Sequence, residues 1–483
     1  MSDPKKITFI GGGSYQWVPV LFRDIAVNPH LQETRFVLHD IHPGRNAEMA
    51  EVCRILVGKL GSGVLVEAED SLDLALDGAE AVVLCISTGG LDAMEHDIEI
   101  PKRYGIYQPV GDSTGPGGIS RTLRNVPVVT DVARRMEKLC PDAWLLNLTN
   151  PMNQIVRAVQ QTSRIKVVGL CHEFQNFMMT VQSLLGLKDW KTETSSTIAG
   201  INHFAWVKEL RVRGENGLEM LRKHSEQELS GTVRVNRKGD QVHPSHSLSG
   251  NRVKFSLFET YGLIPYPGDR HLVEFFPYYL SEKTKWGADF GVELTAIDDR
   301  RFKWIGWYKE RITEWTAQGA DSVPREPSDE ALAPILAALV GGGPVTVQPA
   351  TLPNRGQVEN LPRNTSVETL ASFGGGLVNP HASGALPLPI LALVHKHSLI
   401  QDLTVEAALE GSHVKALQAM LSDPLNNSND CREIGAMLDD LLRANAALLP
   451  QFSARSSPIS RTVDATKKHA GTGTTKRPTL CHA

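Results

Sequence analysis

A chain of 483 residues is too long for one compact core and calls for two intimately packed domains. With 50 Lys+Arg against 54 Asp+Glu and a net charge of -4, it offers nothing to nucleic acid or an anionic membrane, which leaves small molecules as the default partners. No apolar run is long enough to span a bilayer, Met1-Ser2-Asp3-Pro4 shows no signal-peptide pattern, and the six cysteines (Cys53, Cys85, Cys140, Cys171, Cys431 and Cys481) are scattered like reduced thiols, so the expected compartment is cytoplasmic.

In chain order, Lys6-Ile7-Thr8-Phe9-Ile10 predicts a buried strand, Gly11-Gly12-Gly13-Ser14 a turn, and the following stretch to about Asn28 an amphipathic helix. Arg35-Phe36-Val37-Leu38-His39-Asp40 predicts a second strand ending in a carboxylate. Residues 79–86, 144–148 and 166–170 repeat the apolar strand pattern, and residues 122–138 read as a helix. This alternation implies an α/β fold, an N-terminal doubly wound, Rossmann-like parallel sheet over residues 1–195. Ligands of such sheets lie beyond the carboxyl ends of the strands, where Gly11, Asp40, Ser87, Asn150 and Cys171 fall.

Beyond about residue 192 the alternation changes, and residues 196–452 are expected to form an intimately packed C-terminal α+β domain. Residues 195–206 read as one strand crossing toward the site, and 214–251 as a polar loop suited to an interface. Residues 272–280 and 327–449 read as largely helical, with a strand pair near 345–348 and 356–361. Residues 453–483, rich in Ser, Thr, Lys and Gly, read as a disordered tail.

A dinucleotide's pyrophosphate needs a turn without Cβ atoms at a helix N-terminus, which Gly11, Gly12, Gly13 and Ser14 offer, although Trp17 stands where a third fingerprint glycine would be. Asp40 is spaced to accept hydrogen bonds from a ribose diol, favouring NAD over NADP; the bland alternative is a turn cap. Ser87 and Thr149, on the loops after the next strands, complete the expected cofactor set. Cys171 and His203 taken alone are more often core residues than ligands. If they bind metal, thiolate and imidazole suit zinc, and two protein ligands leave an open, catalytic site.

The ordered motifs identify a resemblance. Phe9-Ile10-Gly11-Gly12-Gly13-Ser14, Ile100-Pro101-Lys102-Arg103-Tyr104-Gly105-Ile106, Val110-Gly111-Asp112-Ser113-Thr114-Gly115-Pro116-Gly117-Gly118 and Arg121-Thr122-Leu123-Arg124-Asn125-Val126-Pro127 come first. Thr149-Asn150-Pro151-Met152-Asn153, Cys171-His172-Glu173-Phe174, Gly200-Ile201-Asn202-His203-Phe204, Glu359-Asn360-Leu361-Pro362 and Val367-Glu368 follow. Over roughly residues 5–450 the chain resembles family 4 of the glycoside hydrolases, NAD- and metal-dependent enzymes outside the two-carboxylate mechanism. The resemblance implies NAD+ and a divalent metal, usually Mn2+. The cycle it implies is C3 oxidation, C1–C2 elimination, water addition and re-reduction, and the expected assembly is a homodimer or homotetramer.

Carried over by position, the resemblance makes Cys171 and His203 the metal ligands and His172 the acid toward the leaving group. Asn150 then binds the sugar, and Asp112 lies beside the site to bind sugar or tune the base. Where phosphosugar relatives place a tyrosine base, this chain reads Pro265-Tyr266-Pro267-Gly268-Asp269-Arg270-His271. Asp269 is the first choice of base, His271 the second and Tyr266 the third. The arginine of phosphate-recognising relatives is missing from Leu91-Asp92-Ala93-Met94-Glu95-His96-Asp97, and the pattern resembles members acting on free α-glycosides, hexuronides above all. Glu95 and Arg270 are the expected substrate contacts, with Arg103, Lys102 or His271 as other cations for an anionic C6 group. A sulfoquinovosidase of the same chemistry, a lactate- or malate-type dehydrogenase and a noncatalytic NAD sensor are the alternatives.

Overall fold

Six short apolar strands form the N-terminal half: β1 (Lys5–Ile10), β2 (Thr34–His39), β3 (Leu65–Ala68), β4 (Ala81–Leu84), β5 (Trp144–Asn147) and β6 (Lys166–Gly169). In the computed structural model, which describes residues 4–230 and 250–452, they pair in parallel in the order β3-β2-β1-β4-β5-β6, the doubly wound arrangement expected. Both faces of the central strands are covered, so β4 is buried at every position and reads as a continuous apolar run rather than an alternating one. Phe9, Phe22 and Phe36 pack between β1, β2 and the helix Val18–Val27, closing the first βαβ unit.

The sheet continues across residue 195 without a break. Strands β7 (Thr194–Ile201), β8 (Phe204–Val212), β9 (Glu215–Asn216), β10 (Ile264–Pro265), β11 (Thr346–Pro353), β12 (Ser366–Gly374) and β13 (Leu377–Pro380) extend it to thirteen strands, with β11 beside β6 and then β12, β7, β8 and β10. These added pairings are antiparallel. No helix among the described residues is long and apolar enough to cross a membrane.

Four expectations need correction. Residues 195–206 form two strands, β7 and β8, reversing at Asn202-His203, because the carboxamide of Asn202 bonds to Glu368 and its N–H to Asn153. Residues 356–361 are not a strand. The Asn354 side chain donates to the carbonyls of Val358, Leu361 and Pro362, and this closed loop delays the partner of β11 to Ser366. The region 327–449 carries the strands β11–β13 as well as its helices, and residues 269–279 form only short turns of helix around Pro277. The expected tail from residue 453, and residues 231–249 of the polar stretch, lie outside the described residues.

The helix Gly115–Leu139 crosses behind the site. Its Arg124 forms a fully buried ion pair with Asp97 of the helix Gly90–Arg103 and donates to the Thr88 carbonyl, which fixes the loop after β4. Such a pair is retained at a desolvation cost that only near-complete hydrogen bonding offsets.

Candidate active site

The glycine turn supplies space rather than donors. The Gly11 and Gly12 N–H groups bond to the His39 carbonyl and that of Gly13 to the Asp40 carboxylate, so all three are tied to the end of β2. A Cβ on Gly11, whose φ is 97°, would lie 1.9 Å from the Cys85 carbonyl oxygen, and one on Gly12 would lie 2.5 Å from Asn46 Oδ1. Side chains at Gly11 and Gly12 are therefore excluded by the protein's own packing, and the bare turn leads into the N-terminus of the helix Val18–Val27. Asp40 caps the turn, the second reading offered for it. Its oxygens accept from Gly13 and His42, and each retains a further acceptor position. Ser14 is half-buried and its Oγ accepts from Trp17, while the exposed Ser87 hydroxyl accepts from Arg121. Thr149, expected on the cofactor, is buried and spends its hydroxyl bridging Ile86 N–H to the Leu84 carbonyl.

At the adjoining strand ends, Asp112, His203 and His271 bring one ligand atom each within 4.8 Å of one another. His203 is on the two-residue reversal between β7 and β8 with φ 62°, a left-handed conformation uncommon outside glycine, and its ring stacks on His271 at 3.7 Å. Asn202 locks that reversal by donating to Glu368, which also accepts from Thr351 and Tyr266. Ser113 Oγ donates to Asp112 Oδ1 at 2.7 Å and so has no proton left for His203 Nδ1, also 2.7 Å away. The Nδ1–H of His203 must then be the donor, which leaves the Nε2 lone pair for a ligand. Asn150 Nδ2 holds the other Asp112 oxygen at 3.0 Å, while its own buried Oδ1 is without a partner.

Burial lowers His203 to about 3, with His271 adding to the effect, and burial likewise lowers His271, so both rings are neutral near neutral pH. Burial opposes ionisation of Asp112, but His271, His203, the Arg121 guanidinium and the Ser113 hydroxyl outweigh it and hold this carboxyl below its usual range. The neutral His203 imidazole and the Asp112 carboxylate form a donor pair suited to a borderline divalent cation, and the neutral His271 ring beside them carries a buried Nδ1 with no partner. The residues present therefore fit such an ion.

Several expected residues are placed differently. Cys171 is not in the three-residue group: its thiol meets the Asn202 side chain and the Glu173 N–H, and burial, then Glu368 and Glu173, pushes it well above the usual thiol range. Asp269, the first choice of base, is fully buried, and its two oxygens accept from the N–H groups of Val253 and Lys254 at the start of the helix Arg252–Tyr261. Burial raises it to about 7, but its work is to cap that helix. Tyr266 is buried, donating to Glu368. Of the three candidates, His271 is the one in the cluster.

Arg270, expected on the substrate, instead ties backbone together: it donates to the carbonyls of Pro109 and Glu293 and to Thr295 Oγ1. Glu95 is in an ion pair with Arg301 on the protein surface. His172 has its ring against Trp17, with Nε2 3.6 Å from Glu173 and Nδ1 3.6 Å from Glu330.

Sequence reasoning gave no role to Ser113, Glu274, Arg300 or Glu368, and gave Arg121 one only as the substrate arginine of the dehydrogenase alternative. Ser113, Arg121 and Glu368 fall inside quoted motifs, and a lone charge in a strand was the available signal for Glu368.

Models of two families match the chain, "Family 4 glycosyl hydrolase" over residues 6–187 and "Family 4 glycosyl hydrolase C-terminal domain" over residues 198–426. An alpha-galacturonidase of Bacillus subtilis is 36% identical over 431 residues, covering 88% of this chain and 94% of its own. One of Thermoanaerobacter italicus is 34% identical, covering 87% and 91%. An alpha-galactosidase of Bacillus subtilis is 31% identical, covering 93% and 100%. The crystal structure of lplD from Bacillus subtilis superposes with a TM-score of 0.82 at 32% identity, covering 91% of this chain and all of the other.

Proposed function

The chain belongs to family 4 of the glycoside hydrolases, and from that premise we propose that it hydrolyses terminal α-linked galacturonate, unphosphorylated, with NAD+ and a divalent metal such as Mn2+ as cofactors. The observation that carries this reading is the Asp112, His203 and His271 cluster at the β7–β8 reversal, with Arg121, Arg270 and Arg300 under the charge of Asp112. The sugar and its charge are supported by the relatives named alpha-galacturonidase. Asp112 acts on Arg121, Arg270 and Arg300, and Arg300 is also under the charges of Arg270 and Arg121, which is the setting an anionic sugar needs. When bound, NAD+ supplies a reversible hydride acceptor and the cation a Lewis acid for the sugar oxygens, which together make a C–H proton removable.

The chain's own residues do the rest. His203 offers Nε2 to the cation, with the Asp112 carboxylate beside it. Cys171, bonded to Asn202 next to His203, is the further ligand that family membership brings. His271 takes the carbon-bound proton: its ring is neutral, and Asp112, 4.0 Å from Nδ1, stabilises the imidazolium that forms. Asn150 binds a sugar hydroxyl through its open Oδ1 while holding Asp112. His172, between two carboxylates, delivers a proton to the departing oxygen.

A panel of nitrophenyl α-glycosides with carboxylate, hydroxymethyl, phosphate or sulfonate at the terminal carbon tests the substrate. We expect the galacturonide to exceed the galactoside in kcat/KM by about 100-fold, the worth of a charge-assisted contact. Preference for the phosphate or the neutral sugar defeats the reading.

A further inference from the structure

The geometry points to Arg300 as the residue that binds the carboxylate of the sugar. This inference rests on the galacturonate reading above and assigns it to one side chain. Arg300 belongs to the helical turn Asp299–Trp304, and three contacts place that turn at the site. Arg270 and Thr295 both bond to the Pro109 carbonyl, three residues before Asp112, and Arg270 also holds the Glu293 carbonyl, so residues 293–295 lie against the Asp112 loop. Ile297 packs on Met94 and Ile98 of the helix Gly90–Arg103. The Arg300 N–H then bonds to the Ala296 carbonyl, one turn beyond Thr295.

What sets Arg300 apart is its lack of an acid. The next residue, Arg301, has Asp92, Glu95 and Asp298 within 4 Å. Arg300 has no such carboxylate among the described residues, its Nε is buried with no hydrogen-bond partner, and its guanidinium lies 4.7 Å over the Trp304 ring. Arg300 is half-buried, and its buried, unpartnered Nε is costly unless something arrives to pair with it; the aromatic face fixes the guanidinium plane for two-pronged capture of a carboxylate. Its nearest charged company is Arg270, Asp112 and Arg121, and burial lowers its own pKa to about 10, as expected of a cation short of counter-charge. Arg270 differs because its Nε and one terminal nitrogen already bond to the protein, whereas the Nε of Arg300 has no partner.

The test compares Arg300→Met and Arg300→Lys with the unmodified enzyme on nitrophenyl α-galacturonide and α-galactoside, with galacturonate and galactose as competing inhibitors. Arg300→Met is expected to lose about 100-fold in kcat/KM on the galacturonide, mainly through KM, and about 100-fold in galacturonate inhibition, while galactoside turnover stays within about 3-fold. Arg300→Lys should recover part of the galacturonide activity, and it serves as the test if the methionine variant does not fold. Equal losses on both substrates, or an unchanged preference, overturn the assignment while leaving the galacturonate reading intact. An unmodified enzyme that prefers the galactoside removes both.

Discussion

Replacing His203 by alanine is expected to lower kcat by about three orders of magnitude and weaken Mn2+ binding, whereas His271→Ala should lose comparable activity and keep its metal affinity. The split follows from the cluster's geometry. Ser113 holds the His203 Nδ1 proton, so that ring presents Nε2 as a ligand, while His271 has an unpartnered Nδ1 facing the Asp112 carboxylate. Titration of Mn2+ into each variant, followed by its electron paramagnetic resonance, reads the metal separately from turnover. Equal loss of metal from both variants would make His271 a ligand and leave the base unassigned. Thermal unfolding provides the control, since alanine at position 203 keeps the left-handed backbone of the β7–β8 reversal and so tests whether a loss of function is a loss of fold.

Removing the Glu274 side chain is expected to cost about 2–6 kcal/mol of stability and most of the activity, because one carboxyl oxygen accepts from the N–H groups of both Val110 and Gly111. Those residues lead directly into Asp112, so Glu274→Ala leaves two buried donors unpaired and frees the loop that carries the site. Glu274→Gln keeps the accepting oxygen and should fold.

The two forms also differ in their response to pH. Burial raises Glu274 to about 8, with Asp112 adding to the rise and the two N–H groups and Arg270 opposing it. The folded protein thus retains a proton that the unfolded chain releases near 4.5, and stability falls as pH rises from there to about 8. The glutamine variant lacks that slope, so its urea midpoint should gain on that of the unmodified protein between pH 5 and 8. A glutamine variant whose midpoint falls relative to that of the unmodified protein over the same interval would contradict the protonated assignment.

Both predictions turn on residues that the sequence signalled unequally. The parallel half of the sheet was legible because buried strands read as apolar runs and the glycine turn, Asp40 and the loops after the strands follow at regular intervals. His203, Asp112 and Asn150 were legible as parts of motifs. The choice between Asp269 and His271 was not, because positions two apart on one helical turn point to opposite sides and only tertiary packing shows that the Asp269 carboxylate caps a helix. Arg270 and Arg300 likewise look equivalent as letters. One is committed to carbonyls by the loops around it and the other is not, a difference created by contacts far apart in the chain. Glu274 was invisible for the same reason, since its partners lie 163 and 164 residues away.

The redox character of the hydrolysis is tested most directly by nitrophenol release from the α-galacturonide, using protein stripped of nucleotide and metal and then resupplied. The account predicts no release without NAD+ or without Mn2+, restored release with both, and no accumulation of NADH as turnover proceeds. Full activity in the stripped protein, or NADH rising in step with product, would contradict it.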